Sequence, residues 1–266
     1  MKRVGWMTDV HFNFLETTAV RDFMVEVAAM DLDAVMVGGD IGESNDLSGY
    51  LAMFESELQI PIYFVLGNHD YYHGSIYQIR RMVTGMAAQS RHLKYLPASG
   101  VVSLTSDFAL IGHGGWGDGR IGDYANSPVI MTDYLLITEL AGMGAAARLE
   151  ELNDLGDEAA LYLRGVLTQA LGTHAHILLL THVPPFKEAC WSEGQISDDH
   201  YLPHFTCKAV GDMLLEVMAQ HPERDLTVLC GHSHGEGTAQ LLPNLKAYTG
   251  GAKYGEPRVG KVFELP

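Results

Sequence analysis

The sequence predicts an α/β fold, and three features of its patterning lead there. Apolar runs rich in Val, Ile and Leu recur along the chain, each too short for a helix, as fully buried strands are. Between them lie stretches with helical spacing of apolar residues, the alternation of a parallel or mixed sheet covered by helices. Five of the runs end on Asp, Asn or His. Open α/β sheets bind ligands there, outside the carboxyl ends of their strands.

Strand 2–8 opens the chain, and a helix follows across 17–30, where Val20, Phe23, Met24, Val27 and Met30 share a face. Strand 34–38, a helix near 47–57, strand 62–66 and a helix near 74–89 continue the rhythm. Short strands are expected near 93–96, 100–104 and 107–112. Residues 113–130, beginning HGGWGDGR, read as a loop, and 132–140 as a short helix. An amphipathic stretch over 145–171 leads into strand 175–181. A second long loop, 183–204, opens on Pro184-Pro185, and helix 206–220 follows. The remainder, 226–264, reads as strands with Gly and Pro turns, suited to a second, antiparallel-edged sheet. No repeat, low-complexity tract or linker interrupts the chain, so 1–266 reads as a single domain. Its loops 113–130 and 183–204 are long enough to be functional.

Composition narrows the partners. The formal net charge is -16 and no cluster of Lys and Arg appears, whereas a protein that tracks a phosphate backbone needs a basic stripe. A long nucleic acid is therefore not expected. The three cysteines, Cys190, Cys207 and Cys230, form no CxxC pair and leave an odd count, which favours a reducing compartment. Asp9 and His11 would break the apolar stretch of a signal peptide, and no run approaches the ~20 apolar residues of a membrane span. The expectation is a cytoplasmic protein with no membrane partner.

The polar run ends carry the chemistry. They are Asp9 and His11 in VGWMTDVH, Asp40 in AVMVGGD, Asn68 and His69 in IYFVLGNHD, His182 in ILLLTHVP, and His232 and His234 in TVLCGHSH. Singly, each is compatible with a cap, a turn or an interior histidine. Together at one sheet edge they make a set of N and O donors without thiolate. Burying so many ionisable groups without a cation would be expensive.

The ordered series D-x-H, G-D followed three residues on by an acid, G-N-H-D, a lone H and G-H-x-H is similar to that of the calcineurin-like metallophosphoesterase superfamily, from Asp9 to His234. The resemblance implies a four-layer α/β/β/α sandwich, two central mixed sheets flanked by helices, with a two-metal centre. Asp9, His11 and His234 would hold one ion, Asn68, His182 and His232 the other, and Asp40 would bridge them. It implies hydrolysis of a phosphate mono- or diester of a small organic molecule by a metal-bound hydroxide. Two ions about 3.5–4 Å apart would generate that nucleophile and clamp the phosphate. Mn, Fe and Zn all suit imidazole with carboxylate and amide oxygen, so the metal stays open.

The resemblance places His69 as general acid toward the leaving group, with Glu43 positioned to orient it or to cap a helix. The phosphoprotein phosphatase branch carries Asp-Arg-Gly after its Gly-Asp; this chain reads GDIGESND and lacks that arginine. Arg120 is then a candidate phosphate clamp. Trp116 and His113 are candidate substrate contacts, and Trp116, Tyr124, Trp191, Tyr201 and Phe205 candidate parts of an aromatic lip. A nuclease or cyclic-nucleotide phosphodiesterase of the same superfamily, and a non-catalytic scaffold, remain as alternatives.

Overall fold

A computed structural model describes residues 1–266. The first sheet is built from β1 (Lys2–Met7), β2 (Ala34–Val37), β3 (Ile62–Phe64) and β4 (Leu93–Tyr95), all parallel and side by side in chain order. Helices α1 (Thr17–Ala28), α2 (Leu47–Leu58) and α3 (Ile76–Gln89) form the crossovers. After a short α4 (Leu96–Ser99) the chain enters the second sheet with the hairpin β5 (Val102–Ser103) and β6 (Phe108–Gly112). A single turn, α5 (Asp133–Leu136), precedes the long α6 (Ala145–Leu171), which leads into β7 (His176–Leu180). Next come the two-stranded β8 (Trp191–Ser192) and β9 (Gln195–Ile196), then α7 (Leu202–Phe205) and α8 (Lys208–Ala219). The chain ends with β10 (Asp225–Cys230), β11 (Gly237–Leu242), β12 (Leu245–Thr249) and β13 (Lys261–Leu265). The second sheet runs β11-β12-β10-β7-β6-β5, parallel at its centre and antiparallel at both edges.

Three apolar layers hold this together, and the period of a strand explains why. Successive side chains point to opposite faces. Val35 and Val37 pack under α1 and α2, while Ala34 and Met36 face the other sheet. In β7, Ile177 and Leu179 face α6 and α8, while Leu178 and Leu180 meet Val4, Trp6 and Val65 between the sheets. Both faces of both sheets are covered, so the strands need unbroken apolar runs. The architecture is the four-layer sandwich, helices outside and two mixed sheets within.

Helix α6 ties the halves together. Leu152 and Leu155 enter the core of the first sheet, and Leu163 and Leu167 that of the second. At 27 residues it is about 40 Å long, enough to reach both.

Two expectations are corrected. The segment 183–204 is not all loop: β8–β9, a 3-10 turn at Lys187–Ala189 and the start of α7 lie in it. The C-terminal strands do not all join the second sheet, because β13 returns to pair antiparallel with β1 at the edge of the first. A turn at Tyr254–Gly255 and the partly buried Val262 and Phe263 permit that return. No helix is long and apolar enough to cross a membrane.

Candidate metal centre

The ligand-bearing segments leave β1, β2, β3, β7 and β10 at their carboxyl ends. The turns are tight enough to force left-handed backbone: Asp9, His11, Asp40, His232 and His234 have φ between 43° and 67°, five of the nine non-glycine residues at positive φ. Such conformations cost about 1–3 kcal/mol each and persist where the surroundings impose them. Here they turn five side chains back over the sheet edges.

Two donor groups result. Asp9, His11, Asp40 and His234 have ligating atoms within 4.8 Å of one another, and so do Asp40, His182 and His232. Asp40 belongs to both. Its Oδ2 lies 3.6 Å from His11 Nε2 and 3.4 Å from His182 Nε2. Asn68 joins the second group through Oδ1, 3.1 Å from His182 Nε2. The structure thus gathers all seven expected ligand positions into the expected two sets.

Three of the donors are held by a neighbour. His182 Nδ1 donates to the Gly38 carbonyl at 2.9 Å, which leaves Nε2 facing the centre. His232 Nε2 lies 3.3 Å from the His204 carbonyl, leaving its Nδ1 for the centre. Asn68 Nδ2 donates to Asp133 at 2.9 Å, and the same carboxylate accepts from the Tyr72 hydroxyl at 2.8 Å. Asp133 therefore settles which end of the amide faces inward. The buried Asp70 carboxylate accepts from the backbone N–H groups of Asp40, Ile41, Gly42 and Gly67, so it fastens the turn after β2 to the turn after β3.

The charges suit cations. Burial, with repulsion from His182, pushes His232 down to about 3, and burial outweighs Asp40 and Asp9 to push His11 down to about 4, so both imidazoles are neutral with a lone pair free. Burial works against a charged His182 as well, but Asp40 and Asp9 outweigh it and lift the imidazole to about 10. Burial would raise Asp40; attraction from His182 and His69 instead holds it well below the usual carboxylate range. His182 thus carries a proton in the place where a divalent ion would supply positive charge.

The donor set also fits metal on steric grounds. His11 and His234 set their Nε2 atoms 3.2 Å apart, two like nitrogens between the Asp9 and Asp40 carboxylates. Glycine keeps the approach open. A Cβ at Gly67 would stand 2.2 Å from Asp40 Oδ1, and one at Gly231 would stand 2.0 Å from Asp9 Oδ2. Nitrogen and oxygen donors without sulfur suit Mn, Fe or Zn.

His69 is half-buried at the same rim. Its backbone N–H donates to Asp40 Oδ1 at 2.9 Å, and its ring stacks on Tyr72 with centroids 4.3 Å apart. Its Nδ1 is buried without a hydrogen-bond partner, so Nε2 is the nitrogen that can reach the cleft. That cleft, about 980 Å³, opens over both donor groups.

Four sequence expectations are placed elsewhere. Glu43 does not reach His69: it pairs with His73 at 3.6 Å and accepts from Asn13 at 3.4 Å, because the 42–46 turn directs it outward. Arg120 lies against α6, where Asp157 takes its guanidinium in two bonds of 2.7 and 2.8 Å and Asn153 takes Nε at 2.6 Å. Trp116 is core, packed on Tyr71. His113 is buried, accepts from the Gly115 N–H, and is pushed by burial down to about 3. Of the aromatic lip, Tyr201 and Phe205 line the cleft.

Sequence reading missed Asp133, Tyr72, Tyr254 and the 128–132 segment. Tyr254 roofs the centre, its ring 4.6 Å from that of His11 and 5.1 Å from that of His234. Only Asp70 left a signal, as the last residue of GNHD.

The fold and centre define a class, metal-dependent hydrolases of phosphoric esters, and comparison with known proteins agrees. The family model described as calcineurin-like phosphoesterase matches residues 2–236, and the chain belongs to that family. A dimetal phosphatase from Danio rerio is similar in structure, with 15% identity and a TM-score of 0.56, covering 93% of this chain and 86% of that one. The phosphopantetheinyl hydrolase PptH from Mycobacterium tuberculosis is similar at 14% identity and a TM-score of 0.61, covering 94% and 89%. GAP50, the anchor in the inner membrane complex of Plasmodium, shows 13% identity and a TM-score of 0.50, covering 97% and 76%. At such identities these likenesses speak to fold alone. No curated protein matches.

Proposed function

We propose that this chain hydrolyses a phosphate mono- or diester of a small organic molecule at a binuclear centre of Mn, Fe or Zn, held by Asp9, His11, Asp40 and His234 on one side and Asp40, Asn68, His182 and His232 on the other. The observation that carries the reading is the sharing of Asp40 by two donor groups. Bound there, a pair of ions would acidify a shared water and neutralise charge on the phosphate.

The protein's own residues have four tasks in this reading. Asp40 fixes the separation of the two groups. Asp133 and the Gly38 and His204 carbonyls orient Asn68, His182 and His232. Asp70 keeps the two central turns in register. His69 gives a proton from Nε2 to the departing alkoxide, which matters most for alcohols of high pKa. Its ring is oriented by stacking on Tyr72 in place of a carboxylate partner.

Against a nuclease or cyclic-nucleotide phosphodiesterase stand the net charge of -16 and a cleft lined by no Lys or Arg. A scaffold that had lost catalysis would not need all seven ligand positions and His69 filled. Three buried free thiols fit a cytoplasmic setting. The test is reconstitution with Mn(II) and assay of aryl phosphate mono- and diesters. Turnover that needs metal and vanishes in Asp40→Asn supports the reading; metal-independent turnover rejects it.

A further inference from the structure

Resting on that reading, we infer that the substrate is an ester with a single phosphoryl group on an uncharged, partly apolar alcohol, and that the cleft discriminates against molecules bearing a second anionic group.

The cleft is large for a phosphate and built without cations. None of its 22 lining residues is Lys or Arg, while Glu193 and Asp198 add acid to the loop wall. The cations nearest in sequence are already paired: Lys253 with Glu256, Lys208 with Asp212, Arg258 with Glu236 and Lys187 with Asp199. A second phosphate or carboxylate lying beyond the metal centre would find no ammonium or guanidinium partner there. It would meet carboxylates instead, in a protein of charge -16. Polyphosphates and nucleoside di- and triphosphates fail this condition.

What the cleft does offer is apolar surface leading away from the centre. Val129, Ile130 and Met131 line one side; Ile196, Tyr201 and Phe205 lie in the loop wall that ends against His232, whose ring is 4.5 Å from that of Phe205. Ile130 is 75% exposed and Tyr201 49% exposed, apolar surface within the cleft that a bound molecule can cover. A hydroxyl pin joins the two walls behind them. His204 bonds the Tyr134 hydroxyl through Nδ1 at 2.5 Å and Ser127 through Nε2 at 3.0 Å. The groove is therefore preformed, and it is continuous with the place where the phosphate would bind. Its occupant is the alcohol portion of the ester.

The test is calorimetric titration of the Mn(II)-loaded protein with phosphonates, which cannot be hydrolysed. Ethylphosphonate, hexylphosphonate and 6-phosphonohexanoate present the same head with a short, a long apolar and a long anionic tail. Hexylphosphonate should bind about tenfold tighter than ethylphosphonate, a part of what four fully buried methylenes would give. The carboxylate-tailed compound should bind at least about tenfold more weakly than hexylphosphonate. Ile130→Lys, at an exposed position, should narrow or invert that ratio. Equal affinities for the three, or tightest binding of the anionic tail, would overturn the inference while metal-dependent cleavage of 4-nitrophenyl phosphate left the catalytic reading standing. Failure of every phosphonate to bind together with absence of that cleavage would remove both.

Discussion

Replacing Asp70 by Asn tests whether the centre depends on a residue that touches no ion. Both carboxylate oxygens are committed: Oδ1 accepts from Ile41 and Gly42 at 2.9 and 3.0 Å, Oδ2 from Asp40 and Gly67 at 3.0 and 2.8 Å. Asparagine supplies one acceptor oxygen, so two buried N–H donors would face an amide NH2. Each such loss costs about 1–3 kcal/mol, giving roughly 2–6 kcal/mol, a large part of the ~5–15 kcal/mol of a typical domain. Burial and the neighbouring Asp40 carboxylate push Asp70 up to about 7, while its N–H donors pull the other way. Cations on Asp40 would offset that repulsion, so the loss should be largest in the metal-loaded protein. The assay is urea unfolding of loaded protein, paired with elemental analysis of metal content. Asp70→Asn should lose roughly 2–6 kcal/mol and bind metal more weakly. A variant within about 1 kcal/mol of the parent that still holds two equivalents would refute the reasoning.

Further outcomes follow from the same geometry. His69→Ala should keep its metal and lose about 10²–10⁴-fold in turnover on alkyl esters, with a smaller loss on 4-nitrophenyl esters, as leaving-group kinetics would show. His182 should make metal uptake pH-dependent: its imidazole is raised to about 10 in the metal-free fold, so binding must displace a proton, and Mn(II) affinity should climb as pH rises from 6 to 9. The stability that protonated His182 lends the metal-free fold is fully present below its ordinary 6.5 and lost as pH rises through about 10, so thermal melts of that form should fall across the interval. Arg120→Ala should leave kcat/KM unchanged, with a stability cost above the ~0–1 kcal/mol of a surface ion pair because the buried Asp118 carboxylate also loses a partner.

The succession of strands and helices and the seven candidate ligand positions were legible because each is local: an apolar run, then a polar residue at its carboxyl end. The sandwich needs fully buried strands, and Val35, Val37, Leu178 and Leu180 wrote that need into the sequence. The parts that stayed hidden depend on distant pairings. Asp133 stands 65 residues from Asn68, in a segment with no motif. Tyr254 reaches His11 from a turn near the far end of the chain. Arg120 misled because a guanidinium in a Gly-rich loop looks free; its partners Asn153 and Asp157 are on α6, more than 30 residues on. Glu43 misled for a similar reason, since the direction of a turn is set by packing and not by spacing.

The central claim, two cations bridged by Asp40, is tested most directly by anomalous diffraction from crystals grown with Mn(II). Two peaks about 3.5–4 Å apart, flanking the Asp40 carboxylate, are expected. A single peak, or peaks away from Asp40, would contradict the account.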